Sequence, residues 1–252
     1  LPDLDHWIGA IWSSDTSPIA SASSNDPLWS IGSGSSPALP AERRLPDGGN
    51  HLVVRLDDTP LWIAEAGASV GPASPMPAAA LAGARMRPLL RRSVRLSCSV
   101  GVSLKPGATL ALFGVPASEI AGRHVDLRDL CGSEADQLVE RLRALASPHA
   151  RIAAMAEWLT TRSRRPGSPD HGATVPSLAT LAAALNGPEA LSSPEASKGG
   201  DERIAALARR LGWSQKRLVA FWRERTGLTP KQHQRLQRGR AAAQPVHGAA
   251  LG

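Results

Sequence analysis

The chain contains no tyrosine, two phenylalanines and two cysteines, and these shortages exclude several classes of protein. Cys98 and Cys131 are too few for a zinc cluster or for the disulfide framework of a small secreted domain. We expect two buried, reduced thiols, because free cysteine usually behaves as a small apolar core residue. A redox pair or a reactive thiol is the alternative that the sequence leaves open.

Long apolar runs are also missing. No segment approaches the roughly 20 apolar residues that a membrane-spanning helix needs. The first twelve residues, LPDLDHWIGAIW, carry acidic and polar breaks and lack a basic flank, which is unlike a secretory signal peptide. We therefore expect a cytoplasmic protein with no membrane partner.

The usual signatures of enzymes do not occur. The seven histidines are scattered and give no His-x-His or His-x-x-x-His pair, which argues against a metal site. No Ser/His/Asp set, phosphate-binding P-loop or glycine-rich dinucleotide turn is found. The adjacent acids Asp57 and Asp58 fall in a predicted turn, where Asp is simply a good turn residue. The sequence predicts no catalytic residue, no metal and no cofactor.

The positive charge of the chain is concentrated in one segment. The whole chain carries a net charge of +7, from 29 Lys or Arg and 22 Asp or Glu. Residues 201–240 hold eleven of the former and three of the latter, a net charge of +8, which leaves −1 for the other 212 residues. Such a local excess of basic residues is expected of a module that binds nucleic acid phosphates.

The first 162 residues read as strands followed by helices. Apolar and polar residues alternate over 93–104, which predicts a single strand with one apolar face: Val94, Leu96, Cys98, Val100, Val102 and Leu104. Other predicted strands cover 6–12, 51–56 and 61–63, whereas 13–40 and 64–88 have no clear period. Predicted helices cover 108–113, 116–120, 133–146 and 147–162, with Ser133 and Ser147 as N-terminal caps.

These elements predict an α+β N-terminal domain, β-rich and then helical, over residues 1–162. The Ser-, Pro- and Gly-rich segment 163–174 reads as a linker. A small all-α domain is expected over 175–243, and it begins with a short amphipathic helix at 175–186. The Pro/Gly/Ala-rich residues 244–252 read as a flexible tail.

Residues 201–240 have the pattern of a helix-turn-helix followed by a basic helix. The first helix has apolar residues at i, i+3, i+4 and i+7: Ile204, Leu207, Ala208 and Leu211. Gly212 is suited to end this helix, and Ser214 is suited to cap the next one. The second helix, at about 214–226, has apolar positions of its own: Leu218, Phe221 and Trp222.

This segment resembles the first helix-turn-helix of AraC-type transcription regulators, a bacterial family. The matching pieces are the apolar positions just given, the turn Leu211-Gly212-Trp213-Ser214, and Gly227-Leu228-Thr229-Pro230 after the second helix. Upstream, Leu45-Pro46-Asp47-Gly48 and GVSLKPGATLALFGVPASEI at 101–120 are similar to the N-terminal domain of an AraC-like subgroup. The family implies two helix-turn-helix units, yet twelve residues follow Arg240, which is too few for a second unit.

The resemblance implies a regulator that binds double-stranded DNA under the control of its N-terminal domain, through a small-molecule effector or by forming a homodimer. The alternative is a truncated regulator that acts by protein–protein contact with a related regulator. Cysteine-based alkyl transfer, which is fused to some AraC-type domains, is the enzymatic alternative. Four tryptophans of the N-terminal domain read first as core and otherwise as a pocket lining: Trp7, Trp12, Trp29 and Trp62.

Helix-turn-helix geometry brings the N-terminal part of the second helix to base edges in the major groove. By that geometry the expected base-contacting residues are Gln215, Lys216, Val219, Ala220 and Arg223. The expected phosphate-contacting residues are the neighbouring cations: Arg209, Arg210, Arg217, Arg225, Lys231 and Arg235. The competing interpretation is that these charges form the solvated face of an ordinary three-helix bundle.

Overall fold

The structure, a computed structural model, describes residues 4–14, 42–66, 73–93, 98–164, 181 and 200–243. These residues form an α+β fold in which two antiparallel sheets are followed by helices, as the sequence predicts. Within these ranges, no helix combines the length and the apolar character needed to cross a membrane. Several segments with sequence predictions lie wholly or mostly outside the described residues: 13–40, 163–174, 175–186 and 244–252.

The strands of the described residues pair into two sheets. In chain order they are β1 (Ile8–Ser14), β2 (Glu42–Arg44), β3 (Asn50–Arg55), β4 (Leu61–Glu65), β5 (Ser74–Pro75), β6 (Ala79–Ala82), β7 (Leu89–Ser93), β8 (Ser99–Leu104) and β9 (His124–Asp126). The larger sheet has the order β1-β8-β3-β6-β9, and the smaller sheet has the order β2-β7-β4-β5. Strand β3 is therefore the central strand of the larger sheet.

The predicted single strand over 93–104 is wrong. Ser93 ends β7 in the smaller sheet, whereas Ser99 begins β8 in the larger sheet, and residues 94–97 lie outside the described residues. The predicted alternation does hold within β8, where Val100, Val102 and Leu104 are buried. A chain that passes from one sheet to another keeps its period of two in both, so periodicity alone does not reveal the change.

Strand β6 lies in the segment 64–88, for which the sequence indicates no strand. All four of its residues are buried, and β6 pairs with β3 on one side and with β9 on the other. A strand that is covered on both faces shows no alternation of polar and apolar residues. Its three alanines and one leucine therefore carry no periodic signal of strand structure.

The helices of the described residues come after the strands, except that β9 lies between the second and the third. They are α1 (Ala108–Phe113), α2 (Ala117–Ile120), α3 (Leu127–Cys131), α4 (Ser133–Ala144), α5 (Pro148–Ser163), α6 (Gly200–Arg210), α7 (Gln215–Thr226) and α8 (Pro230–Ala243). The prediction that Ser133 caps α4 is wrong, because Ser133 is the first helical residue and Gly132 holds the cap position. Ser147 precedes α5 as predicted, but its side chain makes no capping hydrogen bond.

Two hydrophobic cores hold these elements together. The larger core lies between the five-stranded sheet and the helices that follow it, and includes Leu52, Val102, Leu112 and Leu159. The smaller core joins α6 and α7 through Ile204, Leu207, Ala208, Leu218 and Trp222, with Leu181 packed among them. The chain therefore builds a sheet domain and a small helical unit, each around its own apolar centre.

His124 at the start of β9 gives the sheet domain a predicted pH response. Burial, followed by the nearby charge of Arg85, lowers the pKa of His124 from 6.5 to about 4. Between these two values the unfolded chain holds a proton on this ring and the folded chain does not. We expect the free energy of unfolding to be highest above pH 6.5 and to fall by about 3 kcal/mol as the pH drops to 4.

Chemical denaturation at several pH values measures this response, and His124→Gln is the matched variant. The variant curve is expected to be flatter over the same interval, although His233 adds a change of the same sign because burial also lowers its pKa. Asp47, whose pKa is about 2, titrates below this window. Equal slopes for the variant and the wild type would show that His124 does not carry the response.

Candidate nucleic-acid interface

The turn between α6 and α7, residues 211–214, is fixed by hydrogen bonds at both ends. Gly212 has a φ of 65°, a left-handed conformation that glycine adopts without strain. The N–H of Trp213 donates to the carbonyl oxygen of Ala208 at 2.9 Å, which closes the end of α6. The Ser214 hydroxyl accepts from the Arg217 N–H at 3.2 Å and caps α7, as the sequence predicts.

One face of α7 is buried against α6. Leu218 and Trp222 are fully buried, which confirms the predicted core position of Trp222. The ring of Trp213 packs edge-on against Phe221, with centroids 5.1 Å apart. Because the apolar face is anchored in this way, the opposite face of α7 is turned outward in a fixed orientation.

The outward face of α7 carries four of the five predicted base-contacting residues. Gln215, Lys216, Ala220 and Arg223 are exposed. Val219 differs, because it is half-buried and packs against the helical core. The prediction that Val219 faces outward like the others is therefore wrong, since a position directly after a core residue lies at the border of the buried face of a helix.

Five of the six predicted phosphate-contacting residues are exposed: Arg209, Arg210, Arg217, Lys231 and Arg235. The four arginines among them form no ion pair with another described residue. The guanidinium carbon of Arg217 lies 4.7 Å from the ring centroid of Trp213, so the ring supports its side chain. The segment from residue 203 to residue 223 contains six Lys or Arg and no Asp or Glu.

The other two predicted phosphate contacts are engaged within the protein. Lys231 pairs with Asp201, with its Nζ atom 3.2 Å from a carboxylate oxygen. Arg225 is half-buried, and its guanidinium carbon lies 3.9 Å from the ring centroid of Phe221. Burial lowers the pKa of Arg225, and Glu224 partly offsets this effect. The structure thus favours the N-terminal half of α7 and the end of α6 as the available cationic surface.

The C-terminal end of α7 is held by the sheet domain. The Gly107 N–H donates to the carbonyl oxygen of Arg225 at 2.9 Å, and the Asn50 side-chain amide donates to the carbonyl oxygen of Thr226 at 3.3 Å. These are two of the last carbonyls of the helix, which have no partner within the helix itself. The sheet domain thus supplies donors to the helix end that points away from the exposed cationic surface.

Apolar contacts reinforce this attachment, which we term the junction. Leu228 and Leu236 from the helical part pack with Ala84, and Met86 lies against them. Arg240 on α8 donates a hydrogen bond to the carbonyl oxygen of Asp47 at 3.4 Å. The junction was not predicted from the sequence, which shows Leu236 only as an isolated apolar residue on a basic helix.

The described tryptophans of the sheet domain differ in how deeply they are buried. Trp7 packs against the larger core, as predicted for a core residue. Trp12 is 37% exposed and lies over Gly101, edge-on to His51 with centroids 5.9 Å apart. The core prediction is therefore wrong for Trp12, which belongs to the edge strand β1. Trp62 is half-buried, and Trp29 lies outside the described residues.

Within the described ranges, the cysteines, carboxylates and histidines are not grouped into a reaction centre. Cys98 and Cys131 are free thiols and are half-buried rather than fully buried as expected. No three His, Cys, Asp or Glu side chains among the described residues are grouped to hold a metal ion. Asp57 has a structural role, because its carboxylate accepts hydrogen bonds from the backbone N–H groups of Thr59 and Cys98.

Comparison with known proteins gives one match. A family described as a domain of unknown function, DUF6597, matches residues 1–126. These residues include both sheets, α1 and α2, and they end before α3. No curated protein and no solved structure matches the chain.

Proposed function

Since the chain belongs to the DUF6597 family, whose description assigns no activity, we propose a function from the helices beyond the matched residues: sequence-specific binding of double-stranded DNA by α6 and α7. In this proposal the chain is a transcription regulator of the AraC type, and the sheet domain controls how α7 is presented to DNA. The main observation in support of the proposal is that the exposed face at the start of α7 carries cationic side chains and no Asp or Glu.

The geometry of α7 supports entry into the major groove by its N-terminal half. The side chains of Gln215 and Lys216 lie on the exposed first turn, and Arg223 lies two turns further on the same helix. Gln is suited to an adenine edge and Lys to a guanine edge. Ala220, with its methyl group, is suited to contact with a thymine methyl.

Phosphate contacts frame this surface in the proposal. Arg209 and Arg210 lie in the last turn of α6, and Arg217 follows the cap of α7. They are exposed and lie outside ion pairs of the described residues, so their charges are available to an external phosphate. These contacts position the protein and supply affinity that does not depend on sequence.

Selection of bound sequences from a random pool of DNA duplexes, at two salt concentrations, tests the proposal directly. A reader of base edges enriches a defined motif at both concentrations, and the motif is expected to sharpen at higher salt as non-specific binding is lost. A helical bundle with a merely solvated charged face enriches no motif. Co-purification with a related regulator, together with no binding to DNA at low salt, would support action by protein–protein contact instead.

Two single substitutions separate base contacts from phosphate contacts. We expect Lys216→Ala to weaken binding to the selected motif by about 1–3 kcal/mol and to weaken binding to random duplex much less. We expect Arg210→Ala to weaken both by similar factors, because a phosphate contact carries no sequence information. Titration of each variant against both duplexes by fluorescence anisotropy measures the difference. Wild-type affinities for both variants on both duplexes would refute the placement of α7 in the groove.

A further inference from the structure

Asn50 links the sheet domain to the last turn of α7. It begins the central strand β3 and is 3% exposed. Its side-chain oxygen accepts from the Ala84 N–H at 3.0 Å, and its side-chain nitrogen donates to the carbonyl oxygen of Thr226 at 3.3 Å. One buried amide therefore satisfies two backbone groups that lie on different parts of the fold, and a buried backbone group without a partner is costly.

The atoms around Thr226 form a closely connected turn. The single proton of the Thr226 hydroxyl is shared between two acceptors within reach, the carbonyl oxygens of Trp222 and Leu228, and the hydroxyl accepts from the Leu228 N–H at 3.1 Å. Gly227 follows with a φ of 84°, and its N–H donates to the carbonyl oxygen of Arg223 at 2.8 Å. The carbonyl group to which Asn50 donates is thereby part of one hydrogen-bonded turn at the end of α7.

The space at this turn leaves little freedom for the two parts to shift. A Cβ atom added to Gly227 would lie 2.9 Å from the carbonyl oxygen of Ala117 on α2, which is closer than real contacts of this kind. The Gly107 N–H, next to the start of α1, reaches the Arg225 carbonyl from the same domain. Three points of the sheet domain, at Asn50, Gly107 and Ala117, thus define the orientation of α7.

We propose that Asn50 is a positioning residue for DNA binding: it sets the angle of α7 relative to the sheet domain, so that the exposed face of α7 is presented to DNA in one orientation. The proposal rests on the proposed function, since a role in positioning α7 for DNA presupposes that α7 binds DNA. Asn50 itself is buried and does not lie on the exposed face of α7. Strand β3 is hydrogen-bonded to β8 and β6, so this amide connects the centre of the larger sheet with the end of α7.

Asn50→Asp is the variant that tests the role of this amide. While its carboxyl group is ionised, it keeps an oxygen that accepts from Ala84 and replaces the donor toward Thr226 by an oxygen, so that two acceptors face each other. In the full chain we expect the amides of residues 225–229 to exchange with solvent at least about tenfold faster. We expect the affinity for the selected DNA to fall by about tenfold, because the bound orientation must then be selected from several.

Ser93→Ala is the matched control. Ser93 is also buried in the sheet domain and donates a hydrogen bond, to the carbonyl oxygen of Pro60 at 3.3 Å, but it lies in the smaller sheet away from α7. The control is expected to lower stability without changing exchange at 225–229 or DNA affinity. If Asn50→Asp changes neither quantity, or changes exchange while affinity stays at the wild-type value, the positioning role is refuted.

Exchange in the wild-type chain provides a test that needs no variant and no DNA. The Gly107 N–H is expected to be protected as strongly as the amides of β3, because its acceptor lies on α7. Protection close to that of a free peptide would show that the junction does not hold in solution and would refute the proposal. A protected junction in a chain that binds no DNA would instead refute the proposed function alone.

Discussion

An increase in salt from 50 to 200 mM is expected to weaken DNA binding by the full chain about 150-fold, if four exposed arginines contact phosphates. Each phosphate that a cation neutralises releases bound counterions, and four such contacts give a slope of about −3.6 in a plot of log affinity against log salt. The four residues are Arg209, Arg210, Arg217 and Arg235. Titrations at five salt concentrations on one duplex measure the slope.

The combined replacement of Arg209, Arg210 and Arg217 by Gln is expected to reduce this slope by about 2.7. A matched control replaces three exposed cations away from the proposed surface, Arg87, Arg128 and Arg141, which removes the same net charge. The control slope stays near the wild-type value if contact, rather than total charge, determines the salt response. Equal losses of slope in the two triple variants would contradict the placement of phosphates along α6 and α7.

Trp222→Ala is expected to destabilise the helical unit by about 3–5 kcal/mol. Trp222 is fully buried between α6 and α7, packs edge-on against His233 at 5.5 Å, and is the largest side chain of the smaller core. We expect this loss to release the outward face of α7 from its fixed orientation, and binding to the selected DNA is expected to be lost with it. Urea denaturation followed by circular dichroism measures the loss of helical structure, and anisotropy measures the loss of binding.

Trp213→Ala is the matched control for this effect. Trp213 is half-buried and packs on Phe221 at the edge of the same core, so we expect its removal to cost about 1 kcal/mol, the size of one aromatic pair contact. Hydrogen exchange in β3 and β8 is expected to stay slow in both variants, because these strands belong to the larger core. A Trp222→Ala chain that keeps wild-type stability would show that α6 and α7 are not held by this core.

The α6–α7 unit was predictable because its signals are local. Gly212 and Ser214 determine the turn through their own backbone and side-chain preferences, and the structure confirms both roles. The spacing of Leu218 and Trp222 placed the buried face correctly, and with it four outward side chains. Val219 was misplaced because a helical period defines the centre of an apolar face better than its edge. Contact with DNA stays a prediction.

The junction could not be predicted, because its contacts join residues far apart in sequence. Asn50 and Thr226 are separated by 176 positions, and neither lies in a pattern that points to the other. Asn at the start of a strand is unremarkable, and its burial becomes informative only when its two partners are known. The change of sheet between Ser93 and Ser99 was missed for a related reason, since strand pairing is a tertiary property.

The close packing at Gly227 limits how this chain can be recombined with others. A helical unit transplanted onto a different sheet domain would meet a different surface at Gly227, and its last turn would need a side-chain donor in place of Asn50 and a backbone N–H in place of that of Gly107. The two donors lie in separate stretches of the N-terminal half. Chimeras cut between residues 164 and 200 are therefore expected to lose the junction even when both halves fold.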